Sequence, residues 1–488
     1  MARRTKFDRS RMCVKCKASA GNIVIRHAVY CKECFAPLQI TKLKRALEPT
    51  VNSAKGKGSR NKLKAGGNLA IGFSGGLGST VLLDMIARCY YSAPAGGVRG
   101  GTQHPRNNET VWAEARVFYV EMCAAYPESA ARDRTEEMRE VVGRYPAFAF
   151  CSLRIEDAFD PAWWARVGGR SPTAERAIGV IVSDALSLAP APASTPAAAL
   201  TAYLSSLPTP TAAATALATL TRLVLLYAAA SARSSHLILG TTLTSLSVGL
   251  IAGVATGAGF VVREEAGETW GESEGEGVRV VKPLRDMGTK ECAAWAWWHD
   301  LAVPGNPKYT NPGAKQGIGG LTKDFIVGLE RDYPSTVSTI ARTCAKLAPK
   351  AAANERCVLC ERPAQKGVQE WKARIAIRSF ADSPKSSQIE TPLSSASSGP
   401  HANSDASHDR PPPTLTPHLC YACHTAFTSR SSRSTAHAVA QDGPVPLPAW
   451  AAAGIGARGD GAGGEVWEGK HMGVGEMRSA IVDFLLED

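Results

Sequence analysis

The sequence predicts an α/β fold built on a parallel sheet, with a cysteine module flanking it on each side. Three observations predict it. Short apolar strand patterns alternate with helical ones through the middle of the chain. A glycine-rich turn joins the first of these strands to the first of these helices. Eight of the thirteen cysteines fall into four Cys-x-x-Cys pairs, two near the N-terminus and two in the last third.

Asn68 to Phe73 is the first strand, and Ser79 to Tyr90 the helix after it, with Val81, Leu82, Met85 and Ile86 at helical spacing. Arg116 to Val120, Ala147 to Ile155, His236 to Leu239 and Val278 to Val281 read as further strands. Between Asp184 and Ala230 lies an Ala-rich stretch with Pro at 190, 192, 196, 208 and 210. Its first half reads as a flexible insertion and its second, Ala212 to Ala230, as a helix. Gly267 to Gly277 reads as an acidic loop, 380–416 as a disordered Ser/Pro-rich insertion, 453–464 as a Gly-rich linker and Met477 to Leu486 as a terminal helix. The expected division is a cysteine module at 1–40, a basic segment at 41–64 and an α/β domain at 65–350 carrying the insertion at about 184–230. A second cysteine module follows at 351–430, then a linker and helix at 431–488.

An apolar share of 44% supports a sizeable core and argues against global disorder. Residues 237–262 carry no charge, but eleven of these 26 are Gly, Ser or Thr, so a buried strand followed by a buried helix is the expectation rather than a membrane span. The N-terminal residues are basic with no apolar run behind them, unlike a secretory signal, and the cysteine spacing is unlike a disulfide framework. A reducing, soluble compartment is therefore expected. Charge is concentrated at one end: residues 1–64 hold seventeen Lys or Arg against Asp8, Glu33 and Glu48, in a chain whose formal charge is +12. Lys42, Lys44, Arg45, Lys55, Lys57, Arg60, Lys62 and Lys64 crowd into 23 of these residues, a pattern suited to nucleic-acid phosphates.

Cys13, Cys16, Cys31 and Cys34 form a Cys-x2-Cys-x14-Cys-x2-Cys pattern. Two-residue spacing lets both thiolates of a pair face one ion, and the second pair completes a tetrahedral sulfur shell. Structural zinc is the expected occupant, with iron–sulfur ligation the alternative. Cys357, Cys360, Cys420 and Cys423 repeat the local pairs across a gap of 59 residues, which a ribbon with an inserted loop accommodates because closure cost grows slowly with length. His424 is read as a surface residue, with ligation as its alternative. About two zinc ions are expected in all. No internal repeat is evident, and apart from their paired cysteines the two modules do not match in sequence.

The third motif is Ser74-Gly75-Gly76-Leu77-Gly78-Ser79-Thr80, between strand and helix. Its glycines allow a tight bend, and the helix N-terminus offers unpaired N–H groups to a phosphate. It is not a Walker A loop, since no Gly-Lys-Ser/Thr follows.

The Ser-Gly-Gly-x-x-Ser loop resembles the PP-loop of ATP pyrophosphatases. More specifically, Cys13-Val-Lys-Cys-Lys, Ile25-Arg-His-Ala-Val, Cys31 and Cys34-Phe resemble the cytoplasmic tRNA 2-thiolation protein 2 family. So do Phe73-Ser-Gly-Gly with Ser79, Lys282-Pro-Leu-Arg-Asp-Met, Tyr333-Pro-Ser-Thr-Val-Ser-Thr-Ile, Cys357-Val-Leu-Cys and the ending Asp483-Phe-Leu-Leu-Glu-Asp. The resemblance implies a cytoplasmic heterodimer with a catalytic PP-loop subunit. That complex moves sulfur from a thiocarboxylated ubiquitin-related modifier to C2 of the wobble uridine in Lys, Glu and Gln tRNAs, after adenylation of the uridine O2. It also implies a nucleotide loop at Ser74, Gly75, Gly76, Ser79 and Thr80.

Three features that the resemblance associates with catalysis are missing. Active PP-loops of this type carry an acidic residue where Gly78 stands, which puts ATP binding by this chain in doubt. The segment Leu239-Gly240-Thr241-Thr242-Leu243-Thr244 resembles a strand-end loop that holds paired carboxylates in active relatives, and here it has none. Cys89, Cys123, Cys151, Cys292 and Cys344, the cysteines of the α/β region, include no Cys-x-x-Cys pair. A non-catalytic, tRNA-binding subunit with no catalytic residues of its own is the leading expectation. An active ATP-dependent thiolase and a free-standing zinc-ribbon nucleic-acid binder are the alternatives.

Overall fold

The computed structural model describes residues 11–51, 67–91, 111–127, 132–169, 178–183, 186–265, 267–270, 277–305, 317–347, 355–365, 413–429 and 443–458. The expected terminal helix, most of the Ser/Pro-rich stretch and the basic residues from Lys55 to Lys64 lie outside these. In chain order the elements begin with β1 (Ile23–Ile25), β2 (Ala28–Tyr30), α1 (Lys32–Val51), β3 (Asn68–Gly72), α2 (Leu77–Ile86), β4 (Ala115–Glu121), α3 (Thr135–Gly143) and β5 (Phe148–Arg154). Then come α4 (Pro161–Arg166), β6 (Ile178–Val180), β7 (Leu188–Pro190), α5 (Pro196–Ser205), α6 (Pro210–Ser231), β8 (Ser234–Leu239) and α7 (Leu243–Ala255). The remainder are β9 (Glu268–Trp270), β10 (Val278–Val281), α8 (Thr289–Trp298), α9 (Ile318–Asp332), α10 (Pro334–Lys346), α11 (Tyr421–Thr428), β11 (Val445–Pro446) and α12 (Ala449–Arg458).

The main sheet runs β5-β4-β3-β8-β10-β9, parallel except for the edge strand β9. Period-two alternation sorts its side chains to two faces. Leu69, Ile71, Val117, Tyr119 and Ile238 point into a core with α1, α2, α3 and α8. Ala70, Phe118, Val120, Leu237 and Val280 point into the opposite core with α5 and α6. The chain leaves β3 toward β4 and β5 on one side and continues through β8 and β10 on the other. The topological switch point therefore lies between β3 and β8, where ligand crevices of such sheets open. Both Ser-Gly-Gly and Leu239-Gly240 leave the sheet at that point, since Gly72 pairs with Leu239.

Four sequence expectations need correction. The Ala-rich stretch is no flexible insertion: Pro196 and Pro210 start helices rather than breaking them. Each sits in the first turn behind a threonine cap, Thr195 accepting from the Ala198 N–H and Thr209 from the Ala212 N–H. Helix α6 is a core helix packed on β3, β4, β8 and β10. By length and composition it is also the one described helix able to cross a membrane, and half of its apolar stretch is buried. Second, the end of the Ser/Pro-rich stretch is ordered. The Leu188 N–H donates to Pro413 O at 2.7 Å, Ser187 bridges Thr414, and Leu415 is fully buried. Third, the Gly-rich linker overlaps α12, whose Trp450 is buried and donates its indole N–H to Leu359 O at 3.1 Å. Tertiary packing outweighs the helix cost of Gly454 and Gly456. Fourth, α1 runs unbroken across the expected boundary at 40/41, burying Phe35, Leu43 and Leu47 in the core.

Candidate functional site

The phosphate-type loop is held from within. Ser79 Oγ donates to Gly76 O at 2.9 Å, lies 3.3 Å from Ser74 Oγ, and accepts from the Ser74 N–H at 3.3 Å. Thr80 donates to the same Gly76 carbonyl at 3.1 Å. Gly75 takes a φ of +74°, which a side chain disfavours, and its carbonyl accepts from the Gly305 N–H at 2.9 Å. Arg134 clamps that covering segment, donating to Gly305 O at 2.7 Å and Pro304 O at 2.9 Å.

The decisive contact lies beside Gly78. A Cβ added there would meet Gly240 O at 2.1 Å, and one added at Gly240 would meet Ser79 N at 2.4 Å. The loop after β3 and the loop after β8 thus touch backbone to backbone at the switch point. Two glycines permit that contact and each requires the other. Thr242 caps α7 by accepting from the Ser245 N–H at 3.2 Å.

Each cysteine quartet gathers its Sγ atoms within 4.8 Å of one another. The Cys16–Cys31 and Cys360–Cys420 separations are 3.8 and 3.7 Å. An ion bound by sulfur at ~2.3 Å in a tetrahedron sets its ligands about 3.8 Å apart, so both quartets fit one ion each. They leave no room for a cluster of several metals. The two sites are also built alike, which the sequence hid. Lys17 and Glu361, each directly after a first pair, have φ of 55° and 52° and donate N–H bonds to Cys13 O and Cys357 O. Met12 bridges Ala20, and Arg356 bridges Pro363, behind the respective knuckles. The second pairs sit at the starts of α1 and α11. The signal was the knuckle itself, since the flanking residues differ.

Their settings differ. Cys16 is exposed and Cys34 half-buried, whereas Cys357, Cys360 and Cys420 are buried within the core that holds α5 and α6. His424, expected on the surface, is 3% exposed beside this second site. A charged network also adjoins it, unforeseen from sequence. Arg222 donates to Cys360 O at 2.9 Å, and burial pulls its pKa down to about 10. Glu265 lies between Lys282, at 3.0 Å, and Arg362, at 2.5 Å. Burial alone would raise the Glu265 pKa, but these two cations outweigh it and hold the carboxyl well below its usual range. Glu361 accepts from Tyr227 and from Trp270 Nε1. Of the expected RNA contacts, Lys44 and Arg45 are exposed on α1. Lys42 instead pairs with buried Glu291 at 2.6 Å, so its charge is neutralised internally.

A family model described as cytoplasmic tRNA 2-thiolation protein 2 matches residues 317–425. Similarity to proteins of that description extends much further. The chain is 26% identical over 379 residues to the Bos taurus protein, covering 71% of each. It is 25% identical over 389 residues to the Homo sapiens protein, covering 72% of each. With the Phaeosphaeria nodorum protein identity is 28% over 382 residues, 73% of this chain and 86% of that one.

Over about seven tenths of its length the chain is similar to proteins described as cytoplasmic tRNA 2-thiolation protein 2.

Among solved structures, the U34-tRNA thiolase NcsA from Methanococcus maripaludis with its [4Fe-4S] cluster aligns with 76% of this chain and 98% of that one, at 15% identity and a TM-score of 0.45. The segment matched by the tRNA 2-thiolation protein 2 model begins at α9, passes through α10 and ends just beyond Cys423, so it takes in the whole second quartet. The remaining α/β cysteines are scattered. Cys292 and Cys344 are buried, while Cys89, Cys123 and Cys151 are half-buried on separate elements. Burial lifts the Cys123 thiol to about 12, with Glu121 adding to the shift, so it is no ready nucleophile.

Proposed function

We propose that this chain is the non-catalytic, tRNA-binding subunit of the heterodimer that 2-thiolates the wobble uridine of cytosolic Lys, Glu and Gln tRNAs. The observation that carries the proposal is the backbone contact between Gly78 and Gly240, at the loop where the resemblance leads one to expect an acidic residue and the sequence has none. A catalytic PP-loop partner would adenylate the uridine O2 and direct sulfur, delivered by the thiocarboxylated ubiquitin-related modifier, to C2. Ser74, Gly75, Gly76, Ser79 and Thr80 keep the shape of a nucleotide loop and serve here to hold the fold. The two quartets each take one zinc, as closed sulfur shells that supply structure rather than chemistry. The complex works in the cytoplasm.

This chain's contribution is to hold the RNA. Lys44 and Arg45 lie on the face of α1 turned to solvent, and Lys15, Lys17, Arg26 and Lys32 are exposed on the N-terminal module. The segment from Lys55 to Lys64 extends the same run in sequence. Phosphate binding by such residues is independent of base sequence and sensitive to salt. Neutralising Lys44 and Arg45 together is expected to weaken binding of Lys, Glu and Gln tRNAs alike. The slope of log affinity against log salt should fall by about 0.7 to 0.9 for each phosphate that is no longer bound. Filter binding at several salt concentrations measures this. A wild-type chain that fails to bind tRNA, or whose binding ignores salt, contradicts the RNA-holding role.

A further inference from the structure

A cavity of about 220 Å³ opens along α2, from Thr80 at the end of the phosphate-type loop to the C-terminal ends of α3 and α8. Arg88, Arg144, Tyr145 and His299 line it, together with Asp84 and Asp300. Asp84 is buried and its charge is fully engaged: it accepts from Arg88 Nε at 2.7 Å, Trp295 Nε1 at 2.8 Å and Tyr145 Oη at 3.5 Å. The Arg88 bond is made through Nε, and Arg88 lines the cavity. Arg144 forms no ion pair among the described residues, and Asp300 is the single carboxylate left to oppose it at the mouth. Tyr145 stays protonated, since burial first and Asp84 second push it to about 12. Burial and Arg88 lower the His299 pKa, so its ring is neutral.

The cavity also joins the basic N-terminal face. Lys32, at the start of α1, lies near enough to His299 to act on its charge, and Lys44 bears in the same way on Cys89, next to Arg88. Phe35 of α1 packs edge-on against Trp298, so the module and the cavity wall form one packed unit. Positive side chains thus run from the cysteine module along α1 to a cavity with two guanidinium groups, a phenol and an imidazole. Two arginines make bidentate bonds to phosphate oxygens, and the neutral rings offer surfaces for sugar or base.

We propose that this cavity seats a backbone phosphate of the bound RNA, with Arg88 and Arg144 as its ligands. The proposal rests on the RNA-holding role given above and adds to it a defined anchor point. It makes the RNA path cross the α2–α3–α8 face instead of ending on the cysteine module.

Arg144→Gln is the clean variant, because this side chain is exposed and supports no ion pair among the described residues. It is expected to leave thermal unfolding unchanged, weaken tRNA binding roughly five- to tenfold at moderate salt, and lower the salt slope by about 0.7 to 0.9. Tyr145→Phe and His299→Ala are expected to reduce ultraviolet crosslinking of bound tRNA to the peptides that contain positions 145 and 299. If the wild-type chain binds tRNA with normal salt dependence and Arg144→Gln binds equally well, the anchor is wrong while the broader role stands. If the wild-type chain binds no tRNA, the broader role fails first. Titration with uridine monophosphate separates a free nucleotide from RNA as the source of the phosphate. Binding of the monophosphate that Arg144→Gln abolishes, with tRNA affinity unaltered, overturns the RNA assignment.

Discussion

Replacing Gly78 with Asp lowers stability by about 3 kcal/mol or more and restores no chemistry. The new Cβ would stand 2.1 Å from Gly240 O, and the obstacle is backbone rather than the end of a mobile side chain. Either the helix start shifts away from β8 or the loop after β8 moves, and both disturb a parallel pair at the centre of the sheet. Gly240→Ala reaches the same contact from the other side, 2.4 Å from Ser79 N, and is expected to cost a similar amount. Since the two substitutions break one contact, the double variant should lose much less stability than the sum of the two singles. Thermal and denaturant unfolding of the three variants checks this. A Gly78→Asp chain as stable as the wild type would show that the backbone contact with Gly240 does not exclude a carboxylate at this position.

The second large effect concerns the buried quartet. Cys420→Ser is expected to lose one bound metal ion and with it most of the soluble, folded protein. Apparent binding of structural zinc is worth about 10–16 kcal/mol. Here Cys357, Cys360 and Cys420 are part of the core that packs α5 and α6 on the sheet. Breaking the shell leaves unmatched thiols beside the Arg222, Glu265, Lys282 and Arg362 network. Cys16→Ser should behave differently. Cys16 is exposed, and α1 keeps its own anchorage through Phe35, Leu43 and Leu47, so the damage stays within the first module. Elemental analysis and thermal unfolding of both variants decide the matter. Equal stability losses would contradict the distinction, and stoichiometric iron in the wild-type protein would contradict zinc.

Much of this architecture is legible in the sequence, for physical reasons that can be named. The five parallel strands β3, β4, β5, β8 and β10 declare themselves because a parallel sheet covered on both faces needs apolar runs, and each is placed within about two residues, whereas the edge strand β9 lies in the stretch read as an acidic loop. The cysteine quartets are legible because the ligand spacing of a sulfur shell is local. The Ala-rich helices are only half legible, because Pro196 and Pro210 read as breakers unless Thr195 and Thr209 before them are recognised as caps. Gly78 and Gly240 each stand out as lacking a carboxylate, yet their mutual contact is hidden, since 162 residues separate them in the sequence. The charged network around Glu265 is invisible for the same reason. Lys42 reads as an RNA ligand because its true partner, Glu291, comes from the far end of the α/β region. Local chemistry can be read from a chain, whereas long-range pairings require the fold.

The most direct test of the non-catalytic assignment is a single-turnover thiolation assay. Purified chain, ATP, magnesium, a thiocarboxylated sulfur donor and unmodified tRNA are combined with and without a catalytic PP-loop partner, and 2-thiouridine and pyrophosphate are measured. The non-catalytic assignment predicts neither product from the chain alone, and thiolation by the partner that rises when the chain is added. Robust 2-thiouridine formation by the chain without any partner would contradict it.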